Sequence, residues 1–262
     1  MSYETLTYTV AEGVGLVTLN RPQAANAMSP QMAKDLHAVA LQIEGDSDVR
    51  AVVITGAGKM FCAGGDLGAF AEAGDDARRL LLQMTGDLHL SISRLARHHT
   101  PVIAAVNGTA AGGGLSLAVS ADLVLSAEEA VFTMAYAGAG LSPDGSSTYF
   151  LPRKVGDSRA RELMLTNRVL SAQEALDWGM VNRIYAANEL QEAALNLAGE
   201  LANGPTQAYG QVKSLLNATF DNGLETQMEL EARGIAAMVA SQDGKEGIAA
   251  FLEKRAPKFL GR

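Results

Sequence analysis

Apolar and polar side chains alternate over residues 3–10 and again over 14–20, with Glu12-Gly13 between them, so the chain is predicted to open with a β-hairpin. The period then lengthens. Ser29 is placed to cap a helix whose first position is Pro30, and Met32, Leu36, Val39, Ala40 and Ile43 recur at helical spacing along one face. Residues 51–55 and 102–106 are short, continuous apolar runs ended by glycine turns, the pattern of strands buried on both faces. Between them, residues 76–97 carry Leu80, Met84, Leu88, Ile92 and Leu95 on one stripe, which predicts a helix. A further helix is predicted from Gly112 to about Ser120, and a strand over 122–126. From about residue 157 the pattern is almost wholly helical, broken by a short apolar run at 180–185.

Strands interleaved with helices, then helices alone, predict an α/β core built from repeated strand-strand-helix turns. The expected division is a core over residues 1–200 and a helical C-terminal segment over 201–262. With 48% hydrophobic and 19% charged residues in 262, the chain can bury a sizeable core, which sets aside a disordered protein. No apolar run approaches the roughly 20 residues that a membrane span needs. Residues 1–20 lack the basic stretch, apolar centre and cleavage site of a leader, so a cytoplasmic protein is expected. The lone Cys62, which has no partner for an internal disulfide, fits that compartment. A net charge of −8 argues against a nucleic-acid surface, which requires clustered Lys and Arg. The basic residues that do cluster, Lys254, Arg255, Lys258 and Arg262, lie at the C-terminus.

Several chemistries fail on spacing. A phosphate loop ending at Gly58-Lys59 needs glycine at 53 and Ser or Thr at 60, where Val53 and Met60 stand. The run from Gly108 to Gly114 lacks the order of a dinucleotide fingerprint. A nucleophile elbow centred on Ser142 needs a second glycine at the position of Asp144. His37, His89, His98 and His99 show no metal-ligand spacing.

What remains is glycine. Gly112-Gly113-Gly114 follows a buried strand and opens a helix, which leaves unpaired N–H groups at the positive end of a helix dipole. Such a triplet serves equally well for tight strand-helix packing. A second glycine site, in Phe61-Cys62-Ala63-Gly64-Gly65-Asp66-Leu67, follows another core strand. Two amides from separate loops that converge on one oxygen would make an oxyanion hole.

In order and spacing, that segment, the run from Pro101 to Gly114 and Ala121-Asp122-Leu123 resemble the crotonase (enoyl-CoA hydratase/isomerase) superfamily. Arg21-Pro22 with Asn26-Ala27, Leu170 to Ala175 with Trp178-Gly179, and Phe251 to Arg255 extend the likeness over essentially the whole chain. The resemblance implies a spiral of strand-strand-helix turns and a C-terminal trimerisation segment, in a homotrimer or a dimer of trimers. It also implies an acyl-CoA thioester substrate from fatty-acid or aromatic-acid metabolism, with no cofactor apart from the CoA of the substrate. By the same likeness the amides of Gly65 and Gly113 hold the thioester oxygen. Ala25, Ala27, Ala63, Gly64, Asp66, Leu67, Gly68 and Gly112 would line the CoA channel, and His89, Tyr136 and Lys258 would make further substrate contacts.

The departures narrow the chemistry. The catalytic glutamates of the family's hydratases correspond here to Ser116 and Tyr136, neither of which replaces a carboxylate near neutral pH. The segment from Gly140 to Gly145 is instead similar to single-aspartate members, ring-1,2-epoxyphenylacetyl-CoA isomerases and certain enoyl-CoA isomerases, so Asp144 becomes the expected acid–base group. Read locally, Pro143-Asp144-Gly145 is also a turn signal, and Asp is a good helix cap. Two alternatives follow: a 4-chlorobenzoyl-CoA dehalogenase-like enzyme with Asp144 as nucleophile, a type that also has a histidine where His89 stands, and a non-catalytic acyl-CoA binder.

Overall fold

The computed structural model describes residues 3–262. The alternating segments form antiparallel strands β1 (Leu6–Ala11) and β2 (Val14–Leu19), with Leu6 opposite Leu19. Their connection has Glu12 and Gly13 both at positive φ, 51° and 79°, the geometry of a tight hairpin turn. Helix α1 (Pro30–Gly45) begins as its sequence predicts: the Ser29 hydroxyl accepts from the Met32 amide at 3.2 Å, Pro30 occupies the first turn, and Met32, Leu36, Val39, Ala40 and Ile43 are buried.

Three turns of a spiral follow. The first comprises β3 (Ala51–Gly56), β4 (Met60–Cys62), α2 (Leu67–Glu72) and α3 (Ala77–Arg97). The second comprises β5 (Val102–Val106), β6 (Thr109–Ala111) and α4 (Gly113–Ser120). The third comprises β7 (Leu123–Ala127), β8 (Val131–Thr133), α5 (Ser147–Val155) and α6 (Asp157–Thr166). The first strand of each turn enters a six-stranded sheet, and the second enters a four-stranded sheet. β3, β5 and β7 lie side by side and parallel in the large sheet, as do β4, β6 and β8 in the small one. Each turn therefore delivers the end of one short strand and the start of one helix to the same side of the molecule.

The chain continues through β9 (Leu170–Ser171), α7 (Ala172–Asp177) and β10 (Arg183–Tyr185). The first two complete the small sheet and the layer over it; β10, the later part of the apolar run at 180–185, pairs parallel to β7 at the large sheet's edge. Then come α8 (Leu190–Ala202), α9 (Thr206–Ala218), α10 (Leu224–Ala240) and α11 (Gln242–Glu253). Helix α9 is held to the core by Lys213, whose ammonium donates to the Leu95 and Thr100 carbonyls at 3.0 and 2.9 Å and pairs with Asp122 at 2.8 Å. By contrast α10 buries only Gly234, while Leu224, Met228 and Ile235 are exposed.

Candidate active site

Two loops meet at the ends of β4 and β6. After Cys62 the backbone is bridged to Met28, whose N–H donates to the Gly64 carbonyl at 2.7 Å and whose carbonyl accepts from Asp66 at 3.0 Å. That pattern skips the intervening N–H of Gly65. In the other loop Gly112 donates to the Thr133 carbonyl at 3.0 Å, and the N–H of Gly113 lies at the start of α4, where the helix offers no partner. Among the described residues neither amide is hydrogen-bonded, and both glycines border one cavity. The loops touch: a Cβ on Gly114 would sit 2.3 Å from the Cys62 carbonyl oxygen, so only glycine permits this approach.

The cavity they border has a volume of about 480 Å³. Leu81, Leu82, Met84 and Leu88 of α3, with Phe70 and Leu141, make its walls apolar, and Arg78 brings one cation to its edge. Asp144 is the single carboxylate in its lining. The Asp144 carboxylate is not spent on capping α5, for it is the backbone carbonyl that receives the Ser147 amide and hydroxyl, at 3.3 and 2.9 Å. Its Oδ1 accepts from the Tyr136 hydroxyl at 2.5 Å. Oδ2 lies 3.9 Å from Nε2 of His89, beyond hydrogen-bond range. That nitrogen accepts from the Gly145 amide at 3.1 Å, which puts the proton of the neutral imidazole on Nδ1.

Tyr136 and Ser116 fill the places where the resemblance led us to look for two glutamates. The Tyr136 hydroxyl lies 3.0 Å from Ser116 Oγ; since its one proton goes to Asp144, it accepts from Ser116. Burial first, then the charge of Asp144 and the hydrogen bond to it, push the Tyr136 phenol well above its ordinary pKa of 10.0, so it remains a donor at any working pH. Gly145 packs against the same serine: a Cβ there would meet Ser116 Cβ at 2.8 Å, and its φ of +60° also favours glycine. A long side chain at 116 would collide with that loop and with Tyr136.

The structure brings together Gly65, Gly113, Ala63, Gly64, Leu67, Gly112, Tyr136 and Asp144 around the cavity. The other candidates lie elsewhere. His89 lines a second cavity on which Asp144 also borders. Asp66 is occupied with structure, capping the Ala69 amide at 3.3 Å and pairing with Arg21 at 2.9 Å. Ala25 takes a left-handed conformation and accepts from the Ala63 amide at 3.1 Å, and the Ala27 carbonyl accepts from Arg21 at 2.6 Å, so both support the glycine loop from behind. Gly68 and Lys258 do not border the cavity, and the Lys258 amide is held by Glu246 at 2.8 Å in the tail. Two features escaped the sequence reading: the Tyr136–Asp144 bond and the second cavity. Among the described residues no three His, Cys, Asp or Glu side chains cluster as metal ligands do, and no helix is long and apolar enough to cross a membrane.

The family model for enoyl-CoA hydratase/isomerase matches residues 9–262. The chain belongs to the enoyl-CoA hydratase/isomerase family. Its relatives in that family carry differing names. A 1,2-epoxyphenylacetyl-CoA isomerase of Escherichia coli is 39% identical over 97% of each chain. A 4-chlorobenzoyl coenzyme A dehalogenase of an Arthrobacter species is 36% identical, over 93% of this chain and 88% of the relative. The crystal structure of an enoyl-CoA hydratase from Polaromonas sp. JS666 superposes with a TM-score of 0.93 at 36% identity, covering 97% of this chain and 99% of the other. The spiral of this hydratase/isomerase-family protein is thus the crotonase fold, as its motifs led us to expect.

Proposed function

We propose that this family member is an acyl-CoA isomerase that moves a double bond, or rearranges an epoxidised ring, through an enolate, with Asp144 as its acid–base group. The observation that carries the reading is the lone carboxylate of the cavity, with Tyr136 and Ser116 at the two places where hydration would require glutamates. The thioester oxygen is held by the Gly65 and Gly113 amides, which are aimed at the charge that develops when a neighbouring C–H is deprotonated. Losing one such donor typically slows a reaction by about 10²–10³. Asp144 removes a proton from one carbon of the allylic or ring system and returns it to another, so the aspartate starts and finishes ionised. Tyr136 holds Oδ1 and leaves Oδ2 as the base. The relative named as a 1,2-epoxyphenylacetyl-CoA isomerase is consistent with this chemistry. CoA enters as part of the substrate, and no separate cofactor is required.

The dehalogenase reading has one specific observation in its favour, the proximity of His89 to Asp144 at 3.9 Å. Both readings, and a non-catalytic acyl-CoA binder, are separated by one panel: β,γ-unsaturated, ring-epoxidised and 4-halobenzoyl CoA esters with wild type and Asp144→Asn. Isomerised product that disappears in Asp144→Asn supports the proposal. Halide release, or tight binding without turnover, refutes it.

We further propose a homotrimer or dimer of trimers, because Leu224, Met228, Ile235, Phe251 and Leu252 leave the C-terminal helices with an apolar surface that a single chain does not cover. Sedimentation at micromolar concentration tests it, and a monomer refutes it. A cytoplasmic location, suited to an acyl-CoA substrate and to the buried free thiol of Cys62, belongs to the same reading.

A further inference from the structure

Among the described residues Asp144 alone lines both the substrate cavity and the cavity beside His89. The first is the apolar chamber that receives the acyl group in the proposed reaction. The second, of about 580 Å³, has a mixed wall in which His89, Arg97 and Asn217 stand beside Ile92, Pro143 and Phe150. A cavity of that size, open to the surface and with an arginine and other polar groups on its wall, admits water, whereas an acyl group seated in the first chamber displaces water from it. His89 shapes the approach to the carboxyl group. Its Nε2 fixes the Gly145 peptide at 3.1 Å and stands 3.9 Å from Oδ2, and 51% of the side chain is exposed. The carboxyl group therefore has one neighbourhood filled by substrate and another open to solvent.

We propose that the second cavity is a solvent entrance serving Asp144, through which the proton taken from the substrate exchanges with water before it is returned. This rests on Asp144 being the acid–base group. The carboxylate takes a proton as the C–H electron pair moves onto the thioester oxygen. The carboxylic acid then trades that proton for one from water in the second cavity, with no net change in charge. Finally it delivers the new proton to the other carbon, the enolate collapses and the carboxylate is regenerated. The product thus carries one hydrogen from solvent, although the isomerisation neither consumes nor releases water.

Isomerisation of a β,γ-unsaturated acyl-CoA in D₂O, stopped at low conversion and read by mass spectrometry, tests the proposal. Wild type is expected to give mainly singly deuterated product. Ser93→Leu, from α3, and Thr148→Trp, from the exposed side of α5, narrow the second cavity from different helices, at positions that do not line the substrate chamber. Each is expected to lower the deuterium content severalfold while turnover persists, and two independent sites guard against one variant failing to fold. Wild-type product that retains its original hydrogen, or a deuterium content unmoved in both folded variants, overturns the inference while leaving Asp144 as the base. Undiminished isomerisation by Asp144→Asn overturns the reading beneath it as well.

Discussion

Replacing Tyr136 with phenylalanine removes one hydroxyl whose proton is committed to Oδ1 of Asp144 at 2.5 Å. The bond anchors one oxygen of the carboxylate, so its loss frees Asp144 to turn away from the substrate. A hydrogen bond to a charged group is worth about 1.5–3 kcal/mol and a factor of ten in rate about 1.4 kcal/mol, so kcat/KM falls by about ten- to a hundredfold when this anchor is lost. The wild-type phenol does not titrate in the working range, because burial and the adjacent carboxylate hold its pKa far up, so it is a donor throughout the comparison. Ser116 turns its single hydroxyl proton to the Gly112 carbonyl, 3.2 Å away, so no buried donor is stranded and the fold is preserved. On the plateau kcat falls by about tenfold, because Asp144 is no longer held in one orientation. The assay is steady-state isomerisation by wild type and Tyr136→Phe at several pH values in the stable range. Activity that stays at the wild-type value refutes the assignment of Tyr136 as the group that holds Asp144 in place, and so does complete loss of activity at every pH.

Three further substitutions test the frame around the site. Gly114→Ala drives a Cβ to 2.3 Å from the Cys62 carbonyl, so it lowers stability by about 3 kcal/mol and, by parting the two amides, activity by about a hundredfold; a normal melting temperature contradicts this. Lys213→Met leaves the Leu95 and Thr100 carbonyls and the Asp122 carboxylate without their shared donor, at a cost of about 3 kcal/mol in chemical denaturation; the figure is at the low end for a buried pair because Asp122 is partly exposed. Tyr8→Phe removes a buried hydroxyl that has no hydrogen-bond partner among the described residues, and raises stability by about 1 kcal/mol at neutral pH. Burial, with lesser help from Asp46 and Tyr3, pushes the Tyr8 phenol up to about 12 from 10.0. The unfolded chain thus ionises first, and stability is lost as pH rises from about 10 to 12. That alkaline loss shrinks in Tyr8→Phe.

The long elements were legible because their side chains repeat often enough to define a period. Ser29-Pro30 and five spaced apolar residues specify α1, and the unbroken apolar runs specify β3 and β5. Strands β4, β6 and β8 escaped notice: three residues show no period, and these segments are strands only because the parallel partner lies one spiral turn away. The glycine loops were read from their places after core strands, and the roles of Gly65 and Gly113 came from the resemblance; in the fold both amides are without hydrogen-bond partners among the described residues. The role of Asp144 was not fixed by its surroundings in sequence, where Pro143-Asp144-Gly145 describes a capped turn as well as a catalytic loop. In the fold the two uses divide between backbone and side chain, the carbonyl receiving the helix and the carboxylate meeting Tyr136. No local pattern links Tyr136 to Asp144, eight residues apart across an irregular turn, nor places His89 from another spiral turn beside them.

The account rests on a thioester enolate held between two glycine amides within reach of one aspartate. A crystal structure of Asp144→Asn with a bound β,γ-unsaturated acyl-CoA addresses that most directly. The account predicts the thioester oxygen at about 2.7–3.1 Å from the nitrogens of both Gly65 and Gly113. It also predicts the carbon to be deprotonated in contact with the side chain at position 144. A thioester oxygen bound away from either amide, or an acyl chain that leaves position 144 without contact, contradicts it.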